Sequence, residues 1–587
     1  MRGERLLPAL AWLRGYGREE ALSDTIAASI VTVMLIPQSL AYAMLAGLPP
    51  EVGLYASIAP LIAYAAFGSS RTLSVGPVAV ISLMTATATA EASARTGADP
   101  VGVALALAFL SGLFLVGMGL LRLGFLANLL SHPVISGFIT ASAILITVSQ
   151  LPALLGLSVS GHGFPELVVA ISASLPALHL QTLALGLAAL VLLLLARQYL
   201  RGTLRRLRLS ATLADGLARA APMAVVILSI LAVQGLDLEA AGVRTVGTIP
   251  PGLPPLTLTL PSSALLLELL PAAVLISVVG FVESVSVAQT LAARQRQRID
   301  PNQELVGLGA ANLAASATGG FPVTGGFARS VVNFDAGART PMAGVLTALG
   351  IALTALVLTP LFAALPRATL AATIIVAVLS LVDIGAIRRA FAYSRVDFAA
   401  QAGTIAVTLA AGVEPGILAG IVLSLLLHIW RTSRPHYAIV GQVPGTEHFR
   451  NVLRHAVLTS PHVLSIRIDE SLYFANARFL EDLIGRLVAE RPQLRHVVLM
   501  CSAVNLIDAS ALESLEAINE RLHSAGIDLH LSEVKGPVMD RLRRTDFPGR
   551  LTGRVFLSQY DAVRALDPAS LGPARPEGVR EGAPQSG

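Results

Sequence analysis

The chain has 587 residues, 54% of them hydrophobic and 13% charged, with a mean hydropathy of +0.70. That leaves too little polar surface for a soluble globule of this size, so a polytopic α-helical membrane protein is expected. The net charge of +5 and pI near 9.6 do not call for a nucleic-acid partner, because the basic residues sit mostly in short clusters between apolar segments, where topology accounts for them. The single cysteine, Cys501, excludes an intramolecular disulfide framework and a cysteine-based metal cluster, and in an apolar strand it reads as packing. The histidines, including His132 and His428, show no metal-ligand spacing. No cofactor, metal or enzymatic centre is expected: the membrane portion has no phosphate-binding P-loop and the C-terminal portion no nucleophile and base constellation.

In chain order, Arg2, Arg5, Arg14 and Arg18 precede the first apolar run, which lacks the short core and small-residue cleavage site of a secretory signal and is expected to stay as a membrane helix. Apolar segments fall near residues 24–46, 51–68, 77–93, 100–121, 127–149, 180–197 and 221–236. Seven more follow near 265–292, 303–319, 326–337, 341–359, 367–383, 397–413 and 415–432. Crossing a ~30 Å hydrocarbon core takes about 20 helical residues, so the third, tenth, thirteenth and fourteenth are expected to be too short to span fully. With fourteen segments both termini share one side. Arg71, Arg122, Arg201, Arg205, Arg206, Arg208, Arg294, Arg296, Arg298, Arg339, Arg388, Arg389, Arg395, Arg431 and Arg434 fall on that side, whereas Glu91, Asp99, Asp237, Glu239 and Glu414 fall opposite. The arginine bias places both termini in the cytoplasm, for a multi-pass protein of the inner (cytoplasmic) membrane.

The two sets of seven carry an internal echo. Strand-like Thr72-Leu73-Ser74-Val75 leads through Gly76-Pro77 into a short helix; Phe321-Pro322-Val323-Thr324 leads through Gly325-Gly326 into another, which carries Arg329. An odd number of segments per repeat inverts the second set, and inverted repeats with broken helices meeting near the midplane are the plan of many secondary transporters. Non-helical backbone at that depth must be buried in protein or line a cavity.

After Arg434-Pro435 the composition changes to that of a soluble domain. Strands are expected at His436–Val443, Val463–Ile468, Arg495–Met500 and Ile527–Ser532, with helices at Ala477–Glu490, Ser510–Ser524 and Pro537–Arg544. This alternation reads as a small α/β domain. The expected domains are thus an N-terminal segment 1–20, a transport domain 21–434, the α/β domain 435–568 and a disordered tail 569–587.

These residues carry a family resemblance. Pro37-Gln38-Ser39-Leu40-Ala41-Tyr42-Ala43, Leu45-Ala46-Gly47-Leu48-Pro49-Pro50, Gly53-Leu54-Tyr55, Val75-Gly76-Pro77, His132-Pro133-Val134-Ile135-Ser136-Gly137-Phe138, Glu283-Ser284 and Phe327-Ala328-Arg329-Ser330-Val331-Val332-Asn333 resemble the SulP anion transporters, the family of pendrin and prestin. Asn505-Leu506-Ile507-Asp508-Ala509-Ser510-Ala511 resembles the matching loop of their cytoplasmic STAS domain. The resemblance spans about Glu19 to Leu566. It implies 7+7 inverted repeats in a nucleobase-transporter-like arrangement. Segments one to four and eight to eleven would form a core, and five to seven with twelve to fourteen a gate, in a homodimer. It also implies that substrate lies between the facing starts of the third and tenth helices.

The physics of that place stands apart from the resemblance. A helix N-terminus carries unpaired N–H groups and roughly +0.5 of an elementary charge, so two of them with Arg329 supply about +2 around one spot. An arginine at bilayer depth costs at least about 2.5 kcal/mol on insertion scales and must face protein, water or an anion. The expected substrate-binding residues are Gln38, Tyr42, Gly76, Pro77, Val78, Phe327, Ala328 and Arg329. Gln38 and Tyr42 lie four apart on one helix face; the glutamine either donates to substrate or braces a broken helix, and Tyr42 either contacts substrate or packs.

Glu283 is either the proton-coupling group or a fixed counter-ion of Arg329, since burial and that arginine act on its charge in opposite senses. Ionised, it leaves the cradle at about +1, suited to a monoanion; protonated, at about +2, suited to a dianion. Proton-coupled sulfate uptake is the expected activity, with bicarbonate or dicarboxylate symport, or anion exchange or channel flow, as alternatives. Sodium-dependent members of the family carry an aspartate at the Glu283 position and a hydroxyl one turn later; here that later residue is Val287, which offers no oxygen to a hard cation, although Ser286 does. Ala328 stands where many animal relatives have serine, one hydroxyl fewer in the cradle. Ser510 matches a residue phosphorylated in soluble STAS relatives and is equally explained as a helix N-cap.

Overall fold

The computed structural model describes residues 7–128, 131–159, 164–207, 214, 217–257 and 262–572. Arg2, Arg5, Arg208 and the tail from residue 573 lie outside them. The chain divides into two compact units, Met1–Ser424 and Leu425–Gly587.

The first unit is helical. Its first half contains α1 (Arg18–Leu45), α2 (Pro50–Phe67), the two-residue strand β1 (Val75–Gly76), α3 (Ala79–Thr96), α4 (Pro100–Leu120), α5 (His132–Leu155), α6 (Phe164–Ser174), α7 (Leu180–Arg206) and α8 (Ala221–Gly235). Its second half contains α9 (Ser263–Arg294), α10 (Pro301–Ala317), β2 (Thr324–Gly325), α11 (Phe327–Asp335), α12 (Met342–Phe362), α13 (Arg367–Leu379), α14 (Ile384–Tyr393), α15 (Arg395–Ala411) and the first part of α16 (Val413–Ser433), within which the boundary between the units falls. Nine helical stretches among the described residues are long and apolar enough to cross a membrane, one of them Arg367–Tyr393, which takes α13 and α14 together. Each of the fourteen expected segments coincides with a helix; α3, α11 and α15, expected to be short, have 18, 9 and 17 residues, and α8, α10 and α13, not expected to be, are as short, with 15, 17 and 13.

Two expectations need correction. The fourteenth segment, α16, is not too short: it runs for 21 residues at a mean hydropathy of 1.8. Glu414 and Pro415 belong to its first turn, where a carboxylate meets the positive helix end and proline forfeits no helix bond. In addition, α6 and α14 are helices where connections between apolar segments are expected. In α14, Arg388 and Arg389 are exposed together with Ile384 and Phe391, so its arginines mark a surface helix rather than a loop.

Packing sorts the helices into two groups. α4 lies along α10 and α9, α2 along α10, and α12 along α1; separately, α5 lies against α13 and α15, and α7 against α13. Glycines permit the closest approaches, as in other membrane bundles. A Cβ on Gly112 of α4 would sit 2.7 Å from Leu313 Cγ of α10, and one on Gly309 of α10 would sit 2.8 Å from the Gly112 carbonyl. A fully buried carboxylate, Glu304 of α10, fixes the turn that leads into β1. Its Oε1 accepts from the Ser69 N–H (2.8 Å), the Ser69 hydroxyl (2.6 Å) and the Ser70 N–H (2.9 Å), and its Oε2 from the Tyr64 hydroxyl (2.7 Å).

The second unit is built on a six-stranded sheet of β3 (Tyr437–Gln442), β4 (Phe449–Asn451), β5 (Val463–Ile468), β6 (His496–Met500), β7 (Asp528–Ser532) and β8 (Val555–Phe556), in the order β4-β3-β5-β6-β7-β8. β3 pairs antiparallel with β4 and β5, and β5 through β8 run parallel. Its helices are α17 (Ala477–Ala489), α18 (Ala509–Ser524), α19 (Gly536–Leu542) and α20 (Gln559–Leu566). Strand side chains alternate between two apolar layers. Leu464, Ile466, Val497 and Leu499 pack with Leu480, Ile484, Leu515 and Ile518 of α17 and α18; Val463, Val498 and Met500 pack with Ala562 and Val563 of α20. Residues 569–572, expected in the disordered tail, are placed against this unit: Leu571 packs on the second layer and the Gly572 N–H donates to Gln442 Oε1 at 2.9 Å.

Candidate functional site

The two glycine-broken stretches meet. β1 and β2 pair antiparallel, Val75 opposite Gly325 and Gly76 opposite Thr324, and the short helices α3 and α11 start from this pair. Buried polar side chains hold it in place. The Gly325 N–H donates to Ser284 Oγ of α9 at 2.8 Å, and the hydroxyls of Ser284 and Thr324 lie 2.6 Å apart. Asn312 of α10 clamps Val323 twice, donating from Nδ2 to its carbonyl and accepting its N–H at Oδ1, both at 2.9 Å. Across the pair the Ser74 N–H donates to Ser330 Oγ (3.0 Å) and Asn333 Nδ2 donates to the Thr72 carbonyl (3.0 Å). Backbone that cannot be helical here is satisfied by side chains instead.

A cavity of ≈ 40 Å³ lies in front of the pair. Its wall consists of Gln38 and Tyr42 from α1, Pro77, Val78 and Ala79 at the start of α3, Glu283 from α9, and Gly326, Phe327, Ala328 and Arg329 at the start of α11; Ala377, Val378 and Leu381 close it from the α13 side. Val78 and Gly326 cap the two helices: their carbonyls accept the N–H groups of Ser82 (2.8 Å) and Ser330 (3.0 Å). The N–H groups of residues 79–81 and 327–329 therefore have no partner within their helices, and both sets open beside the cavity.

Arg329 is buried, at 3% exposure, and does not stand free. Its Nε donates to the Ser74 carbonyl (3.2 Å), Nη1 reaches the Pro77 carbonyl (3.4 Å) and Nη2 the Thr324 carbonyl (3.5 Å). The guanidinium thus braces both broken stretches while bordering the cavity. Gly76 is not on the wall; it lies behind the guanidinium, with φ +156° and a position from which a Cβ would stand 2.8 Å from Arg329 Nη1.

Among the described residues Glu283 and Arg329 border the same cavity without a direct ion pair within 4.0 Å. Gln38, Tyr42 and Glu283 border the cavity with no side-chain hydrogen bond to another described residue. Three polar side chains aimed at one small space without protein partners leave their hydrogen-bonding capacity for water or a ligand. Val287, one turn after Glu283, is buried among apolar neighbours, and Ser286, three residues after it, is exposed. The wall residues outside the expected set are Ala79, Gly326, Ala377, Val378 and Leu381; apart from the glycine, their apolar identities give no signal that separates them from any other membrane helix.

Ser510 is exposed in the first turn of α18 but is not its N-cap: Asp508 holds that position and accepts the Ala511 N–H at 2.9 Å. The carboxylate competes better for the helix start because its charge also meets the helix dipole. Histidines do converge in this unit. His496 of β6 and Asp528 and His530 of β7 place their ligand-type atoms within 4.8 Å of one another. The Arg554 N–H donates to His530 Nδ1 at 3.0 Å, so the Nε2 of a neutral His530 carries the hydrogen and donates to His496 Nδ1 at 3.2 Å. Burial, with His496 beside it, pushes His530 down to about 4; burial likewise pushes the Cys501 thiol up to about 12, in keeping with a packing role.

Comparison with known proteins agrees with this architecture. The sulfate permease family matches residues 22–404 and the STAS domain residues 455–562. "Probable sulfate transporter 4.2" of Arabidopsis thaliana is 36% identical over 578 residues, covering 96% of this chain and 83% of its own length. "High affinity sulfate transporter 2" of Stylosanthes hamata is 32% identical over 588 residues, covering 96% and 86%. The structure of SLC26A9 superposes with a TM-score of 0.88 at 23% identity, over 96% of this chain and 93% of that one, and so shares the fold. The chain belongs to the sulfate permease family and carries a C-terminal STAS domain.

Proposed function

We propose that the protein carries a small inorganic oxyanion, sulfate first, into the cell across the cytoplasmic membrane, with Glu283 coupling the movement to protons. The observation that carries this reading is the convergence on one ≈ 40 Å³ cavity of two open helix starts, the Arg329 guanidinium and the unpartnered side chains of Gln38, Tyr42 and Glu283. The open N–H groups and guanidinium supply positive potential, and the amide and phenol supply directed donors. Relatives named as sulfate transporters over 96% of the chain point the same way. One water needs roughly 10–15 Å³, so a cavity of this size suits a compact oxyanion better than an extended dicarboxylate.

The charge of the cradle gives Glu283 its role. With the carboxyl neutral, the two helix ends and Arg329 present about +2, matched to a dianion; with it ionised, the site drops to about +1 and releases the dianion. One proton then travels with each sulfate. The absence of a hydroxyl at Val287 weighs against a sodium site beside Glu283.

Uptake of labelled sulfate, bicarbonate, chloride and a dicarboxylate into proteoliposomes, with imposed proton or sodium gradients, tests this. Sulfate accumulation driven by an inward proton gradient is the expected result. Sulfate accumulation that ignores protons and follows sodium overturns the mechanism.

A further inference from the structure

A second, larger cavity of ≈ 360 Å³ lies toward the face on which α1 ends. In the fourteen-segment topology this is the face opposite the arginine-rich one, and its arginines are therefore exceptions to the orientation rule. Arg95 is one, and it is paired with Glu91 and Glu268, both at 3.9 Å. Arg244 and Arg367 are the others of interest. Both border the larger cavity, and neither makes an ion pair among the described residues.

Their placement is built rather than incidental. Thr245 and Pro366 form an antiparallel bridge, the Arg367 N–H donates to the Arg244 carbonyl (3.0 Å) and Arg367 Nε donates to the Thr245 carbonyl (3.0 Å). Arg244 Nη2 donates to Ser158 Oγ at 2.5 Å. Two loops far apart in sequence are thereby tied so that two guanidinium groups without a direct ion pair share one mouth, the nearby Glu239 carboxylate being held by the Thr245 hydroxyl at 3.2 Å. The inner wall includes Ala41, Ala371 and Ile374, whereas Tyr42, Ala377 and Val378 line the central cavity. The same two helices, α1 and α13, wall both spaces at positions no more than about one helical turn, ~5.4 Å, apart.

We propose that this cavity is a second, low-affinity oxyanion site, an antechamber in which Arg244 and Arg367 concentrate the anion before it passes between α1 and α13 to the central cavity. The proposal rests on the anion-transport reading above and adds to it a recruiting step. A cleft lined by one sign of charge raises the local concentration of the opposite ion, an effect that weakens as salt rises.

The test is initial-rate sulfate uptake in cells, where one face is outside, over a range of sulfate concentrations and at two ionic strengths. Arg244→Gln with Arg367→Gln is expected to raise KM on the order of tenfold, leave kcat at the wild-type value and remove the dependence of KM on ionic strength. Arg244→Lys with Arg367→Lys keeps the charge and is expected to restore KM, which separates recruitment from misfolding. Arg95→Gln, on the same face but facing Glu91 and Glu268 at 3.9 Å and outside the cavity wall, is expected to leave KM unchanged. A double glutamine variant with wild-type KM and salt dependence overturns the antechamber while leaving anion transport standing. A charge-retaining variant as impaired as the glutamine one also overturns it. Wild-type protein that moves no anion at all overturns the underlying reading.

Discussion

At the scale of single residues, Arg329 is placed so that the two duties sequence presents as alternatives, bracing backbone and, in the proposed function, attracting an anion, are compatible. Its three N–H directions are directed to the carbonyls of Ser74, Pro77 and Thr324, so it fixes the shape of the cavity wall, and the proposed function adds that its charge serves the anion. Lysine retains the charge but cannot reproduce a planar fork spread over three acceptors. Arg329→Ala is therefore expected to abolish sulfate uptake, and Arg329→Lys to leave a small residual rate with raised KM. Proteoliposome kinetics on monodisperse protein check both. Ser284 is the counterpart without charge. Ser284→Ala leaves the buried Gly325 N–H without its acceptor and is expected to cost about 1–3 kcal/mol, read as a lowered Tm with the fold retained.

At the scale of elements, the site is a property of two short helices and the strand pair from which they start. Gly76→Ala tests that geometry, since a Cβ there meets both a positive φ and the Arg329 guanidinium at 2.8 Å. Uptake is expected to fall below a tenth of wild type, on the order of the 1–3 kcal/mol that such backbone strain costs, and the same assay measures it. These broken elements were legible in the sequence because Gly76-Pro77 and Gly325-Gly326 interrupt apolar runs where a membrane forbids unsatisfied backbone. The buried charge at Arg329 was legible for the same reason. The α13 wall was not, because Ala377 and Val378 look like any lipid-facing or core position. Helix α14 was hidden by arginines that suggested a loop, and the His496 and His530 pair by the 34 residues that separate neighbouring strands. Ser510 illustrates a finer limit: the loop located the helix start, yet the cap fell to Asp508, two residues earlier.

At the scale of the whole molecule, the chain joins a membrane unit whose buried polar groups build one cradle to an α/β unit with its own apolar layers. The second unit carries an acid sensitivity of its own. His530 is held at about 4, below its ordinary 6.5, because burial and His496 disfavour the cation. A histidine depressed on folding contributes stability that is full above its unfolded value near 6.5 and is lost as pH falls toward 4. Thermal unfolding of residues 435–572 is expected to show Tm falling across that window, and His530→Gln to flatten the fall.

The central claim, that Glu283 couples an anion cradle to protons, is tested most directly by comparing Glu283→Gln with wild type in two assays on the same proteoliposomes. Sulfate-for-sulfate exchange needs the cradle alone, whereas accumulation under an imposed proton gradient needs the titrating carboxyl as well. The variant, fixed in the neutral form, is predicted to keep exchange and lose accumulation. Accumulation by the variant at the wild-type level would contradict the account.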